Sequence, residues 1–85
     1  MPQVDIYTSS TCPYCRQAKD LLARKNVAYT EKVVDMDPDL IAEAVERSGG
    51  RRTVPQIFIN GESVGGYDEI AALEQSGRLD EILAQ

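Results

Sequence analysis

A chain of 85 residues, 42% apolar and 27% charged, has the length and composition of one globular domain spanning residues 1–85, and not of a disordered segment. Its formal net charge of −5 counts against a nucleic-acid partner, which would demand clustered Lys and Arg. No stretch approaches the roughly 20 apolar residues of a membrane span, and Met1-Pro2-Gln3-Val4-Asp5 lacks the basic start and apolar run of an export signal, so the expected address is the cytoplasm.

Val4-Asp5-Ile6-Tyr7 reads as a short strand running into the polar cluster Thr8-Ser9-Ser10-Thr11. A helix follows, with Pro13 in its first turn, where a proline loses no hydrogen bond. Tyr14, Ala18, Leu21 and Leu22 share its apolar face, and Asn26 marks its stop. Residues Val27 to Val34 read as a second strand. Asp37-Pro38 supplies a cap and a first-turn proline for a second helix, whose face is Leu40, Ile41, Ala44 and Val45 and whose end is Gly49-Gly50. Gln56-Ile57-Phe58-Ile59 and Glu62-Ser63-Val64 read as strands joined by the tight-turn dipeptide Asn60-Gly61. Gly65-Gly66 leads into a helix from Tyr67 to Gln75, and a last helical stretch runs from Leu79 to Leu83. The order β-α-β-α-β-β-α predicts an α/β fold. A helical crossover joins parallel strands in the first half, a hairpin follows, and the result is a four-stranded mixed sheet flanked by helices.

The chain has two cysteines and no histidine. Both cysteines lie in Thr11-Cys12-Pro13-Tyr14-Cys15, where the first strand hands over to the first helix. Cys12 falls at the helix N-terminus, where unpaired N–H groups and the macrodipole favour an anion, so its pKa is expected below that of a free cysteine. Residues 1–34 carry five Lys/Arg against three Asp/Glu, which adds to that bias. Cys15, one turn on, shares a face with Ala18 and Leu22 and is expected to be buried and less ionised. Residues three apart at a helix start lie within disulfide reach. A structural disulfide over so short a loop would add little stability, and a zinc site needs about four ligands. Redox chemistry is therefore the leading reading, with a metal or cluster shared across a dimer as the alternative.

Three segments resemble the glutaredoxin family: Thr11-Cys12-Pro13-Tyr14-Cys15, Thr53-Val54-Pro55 with Gln56-Ile57-Phe58-Ile59, and Gly65-Gly66-Tyr67-Asp68. The resemblance covers essentially the whole chain and implies a thioredoxin fold. It implies a glutathione-dependent thiol–disulfide oxidoreductase acting on protein disulfides and glutathionylated thiols, with Cys12 as nucleophile and Cys15 as resolving thiol. It implies that the Val54–Pro55 bond is cis, presenting the Val54 backbone to an extended peptide. It places glutathione against Tyr14, Thr53, Val54, Pro55, Gly66, Tyr67 and Asp68. The γ-glutamyl carboxylate would sit at the start of the third helix, with Asp68 near the ammonium group and Arg51 and Arg52 as candidates for the glycyl carboxylate. Glutathione is then the reducing co-substrate, no metal is expected, ribonucleotide reductase is one candidate target, and the chain is expected to be a monomer. Many relatives carry lysine where this chain has Ser9, which points to weaker glutathione binding and a less acidic Cys12. Two rivals follow from the same resemblance: a redoxin reduced by thioredoxin reductase, and an iron–sulfur carrier bridging two protomers, against which Pro13 and Cys15 argue.

Overall fold

The computed structural model describes residues 2–84. Its sheet has four strands, β1 (Val4–Thr8), β2 (Thr30–Val33), β3 (Gln56–Ile59) and β4 (Glu62–Gly65), in the order β2-β1-β3-β4. β1 pairs parallel with β2 and antiparallel with β3, and β3 with β4 forms a hairpin. The two inner strands are buried on both sides, β3 at all four positions, and so read as near-continuous runs of large residues. At the hairpin, Asn60 and Gly61 both take positive φ (52° and 85°), as a two-residue turn matched to strand twist requires.

The helices are α1 (Pro13–Arg24), α2 (Pro38–Arg47), α3 (Tyr67–Gln75) and α4 (Arg78–Leu83). Proline opens both α1 and α2, and Asp37 caps α2 by accepting the Leu40 N–H at 3.1 Å. Asn26, left-handed at φ 57°, turns the chain out of α1. On one face of the sheet α1, α3 and α4 bury Ala18, Leu22, Ile70 and Leu79 against Ile6, Ile57 and Ile59. On the other face α2 covers a smaller core of Tyr7, Val34, Ala44 and Phe58.

The second strand is shorter than the sequence suggests. Thr30 is the first residue to find a partner, Asp5, whereas Val27 is still tied to α1 through its N–H to the Leu22 carbonyl at 3.2 Å. Val27 and Tyr29 are apolar because they pack on the α1-face core, not because they pair in the sheet. The C-terminal end of β1, the start of β3 and the end of β4 lie at one end of the sheet, since β3 runs antiparallel to both neighbours. That end carries both cysteines, Pro55 and Gly66.

Candidate active site

Cys12 is the N-cap of α1, in extended conformation (φ −95°, ψ 111°), and its sulfur accepts the Cys15 backbone N–H at 3.2 Å. A sulfur anion here meets a hydrogen-bond donor and the positive end of a twelve-residue helix. The same sulfur lies 3.7 Å from the carbonyl oxygen of Val54, to which the neutral thiol donates. Cys15 is only 1% exposed. Burial first, then the hydrogen bond with Cys12 and, as a smaller cause, the charge of Cys12 push its thiol up to about 12, against lowering by the Ser9 backbone and, least, by Lys19. One sulfur is thus partly exposed at a helix end, while the other is buried and keeps its proton. Both are free thiols.

The Val54–Pro55 bond is cis. Gln56, buried at the start of β3, holds the preceding turn by donating from Nε2 to the Thr53 carbonyl (2.9 Å) and hydroxyl (3.1 Å). On the other side of the thiol, Asp35 fastens the loop before Cys12. Its carboxylate accepts from Ser9 Oγ (2.9 Å) and from the N–H and hydroxyl of Ser10, and these bonds hold it below its ordinary pKa. Ser9, which stands where many relatives carry a lysine, thus offers a hydroxyl bonded to a carboxylate. Asp35 carries no motif and was not legible in the sequence.

All seven residues named from sequence as glutathione contacts, Tyr14, Thr53, Val54, Pro55, Gly66, Tyr67 and Asp68, line one cleft of about 200 Å³. Tyr14 departs from its helical periodicity. Ala18, Leu21 and Leu22 are buried, but Tyr14 is 58% exposed and stacks on Tyr67, ring centroids 6.3 Å apart, to form the cleft's aromatic rim. Two further residues complete the lining, Arg51 and Glu69. Glu69, not Asp68, caps α3: its Oε2 accepts the Gly66 N–H at 3.2 Å, and its Oε1 takes Arg51 Nη2 at 2.6 Å. These bonds lower the Glu69 pKa, the one to Arg51 most. An acid three residues after the helix-starting Gly66 was the available signal for this cap. Arg51 is therefore held at the α3 end of the cleft. Arg52 has no side-chain partner among the described residues.

Comparison with known proteins places these features in a family. The glutaredoxin family model matches residues 4–64. A glutaredoxin of Pseudomonas aeruginosa is 50% identical over 84 residues, covering 99% of both chains, and glutaredoxin 3 of Escherichia coli is 47% identical over 98% of this chain and 99% of its own. The solution structure of a Brucella melitensis glutaredoxin superposes with a TM-score of 0.82 at 52% identity, over 95% of this chain and 87% of that one. A buckwheat glutaredoxin in complex with glutathione superposes with a TM-score of 0.87 at 27% identity, over 98% and 77%.

Proposed function

The chain belongs to the glutaredoxin family and is a thiol–disulfide oxidoreductase, and from that premise we propose that it uses glutathione to reduce glutathionylated thiols and protein disulfides. The observation that carries this reading is the placement of Cys12: helix-capping, in contact with Val54, beside a cleft whose polar groups suit a small peptide. The Cys12 thiolate attacks the glutathionyl sulfur of a mixed disulfide. The target's sulfur leaves with the electron pair and takes up a proton. Free glutathione then attacks the Cys12–glutathione disulfide, releasing oxidised glutathione and returning the thiolate. The Val54 backbone pairs with the cysteinyl unit of glutathione, and the α3 N-terminus with Asp68 receives its γ-glutamyl head, between Thr53 and the Tyr14–Tyr67 rim.

For a protein disulfide, Cys12 forms the mixed disulfide and Cys15 displaces the target. Two of the causes that keep Cys15 protonated come from Cys12 itself. Once Cys12 is bound in a disulfide they vanish, so the second thiol becomes easier to ionise at the step that needs it. We place the protein in the cytoplasm, as a single-domain monomer with no resident metal.

The test separates the two cysteines. Cys15→Ser should keep deglutathionylation of a glutathione mixed disulfide within a few-fold and lose protein-disulfide reduction, while Cys12→Ser should lose both by about a thousandfold or more. Equal losses from both changes would assign the roles wrongly. Activity that depends on thioredoxin reductase and not on glutathione would remove glutathione as the reductant.

A further inference from the structure

On the α2 side of Val54 lies a second groove of about 180 Å³, with walls of Val34, Ile41, Ala44 and Val45 and with Arg52 and Val54 on its rim. It is continuous with the thiol site, because Val54 borders both this groove and the cleft and its carbonyl touches Cys12. Its apolar wall is unfinished in a specific way. Met36 precedes the Asp37 cap and Ile41 lies four residues after it, the two positions that normally staple a helix start by packing together. Here Met36 takes a left-handed φ of 55° and is 99% exposed, leaving Ile41 44% exposed. The left-handed φ of Met36 belongs to the turn that the Asp37 N–H closes on the Val34 carbonyl at 3.0 Å, and with Met36 turned to solvent there, Ile41 stands uncovered on the wall of the groove.

We propose that this groove is the docking surface for the target protein: it receives an apolar side chain of the extended segment that presents its disulfide to Cys12, with an acidic neighbour of that residue against Arg52. The charge assignment follows from Arg52 having no partner among the described residues, while the neighbouring Arg51 is held by Glu69. The inference rests on Cys12 as the attacking thiol and not on glutathione as the reductant.

The probes are short peptides with one central cysteine activated as its mixed disulfide with thionitrobenzoate. Cys12 attacks the peptide sulfur, a Cys12–peptide disulfide forms, the old S–S bond breaks, and coloured thionitrobenzoate leaves with the electron pair, so no glutathione is needed. One set carries Leu and Glu on either side of the cysteine, a second Leu and Lys, a third only Gly and Ser. The intact protein should react about tenfold faster with the Leu/Glu set than with the Gly/Ser set. Ile41→Ser should remove most of that preference, and Arg52→Glu should transfer it to the Leu/Lys set. Both should react with the activated disulfide of 2-mercaptoethanol within about twofold of the unaltered protein. Equal rates with all three sets, or variants that slow the mercaptoethanol probe as much as the peptides, would overturn the proposal. So would a concentration-dependent dimer that Ile41→Ser abolishes, since the groove would then serve a second copy. Unchanged colour release by Cys12→Ser would instead refute the assignment of the attacking thiol.

Discussion

With its sulfur buried one turn below Cys12, Cys15 keeps its proton to about pH 12, and burial is a larger cause than its neighbour's hydrogen bond and charge. That ranking has two consequences. First, Cys12→Ala should bring Cys15 below about 12 by removing two of the raising causes, yet leave it above the ordinary 9.0 because burial remains. Thiolate absorbance during an alkaline titration reads this directly, and an unshifted Cys15 would mean that no coupling between the thiols assists resolution. Second, the folded state favours the neutral thiol, so folding gains from Cys15 fully below about pH 9 and loses that gain as pH climbs toward about 12. Urea midpoints measured at pH 7 and pH 10.5 should therefore fall further for the native chain than for Cys15→Ser. The comparison matters because Lys19, Lys25 and Lys32, raised by their carboxylate partners, lose their own contributions in the same range in both proteins.

The turn between β4 and α3 shows what an element boundary demands of its residues. Gly65 has φ 101°, and a Cβ there would sit 2.8 Å from Arg51 Nη1 and from Glu69 Cγ. Gly61 is also left-handed, at φ 85°, but a Cβ on it would meet open space. Gly61→Ala should then cost only the backbone term, about 1 kcal/mol, and Gly65→Ala about 2 to 3 kcal/mol, because it also breaks the Arg51–Glu69 pair. Gly65→Ala alone should also raise the KM for glutathione, since it reshapes the cleft; equal effects from the two changes would mean that the pair over Gly65 is incidental. Much of this scale was legible beforehand. Proline after a cap, Asn-Gly between strands and paired glycines before a helix encode local backbone geometry, and each stands where the sequence put it. What escaped depended on partners distant in the chain. Tyr14 fits the apolar stripe of α1, yet its neighbour is Tyr67 and not the core. Adjacent Arg51 and Arg52 look equivalent, but only the first has a carboxylate waiting across the cleft. Val27 and Tyr29 have strand-like side chains and lie beyond the reach of β1.

At the scale of the whole molecule the sheet divides two unequal cores. Among the described residues, ten buried apolar side chains join α1, α3 and α4 to one face, and four join α2 to the other. The α2 side adds polar contacts around a fully buried tyrosine. Tyr7 donates to Glu43 and accepts from Arg47 Nη1 at 2.6 Å, Lys32 pairs with Glu43 at 3.1 Å, and the Arg47 guanidinium lies 4.2 Å from the centre of the Phe58 ring. Arg47 also reaches Asp5 at 3.4 Å, so one side chain fastens α2 to both inner strands. Such bonds are worth less per residue than apolar burial, and α2 should be the first helix to open. Native-state hydrogen exchange should show α2 amides exchanging at lower free energy than those of α1. Arg47→Ala, which removes the hydrogen bond, the ion pair and the ring contact together, should destabilise the protein by about 2 kcal/mol and widen that gap. The functional consequence separates the two sides of the sheet. The Cys12 cap and the aromatic rim belong to α1 and α3, whereas the groove by Ile41 belongs to α2. Arg47→Ala should then erode discrimination among peptide disulfides while leaving attack on a small disulfide nearly unchanged. If exchange instead shows α1 and α2 opening together, the sheet does not insulate the thiol from its neighbouring face, and a loosened α2 would slow both reactions alike.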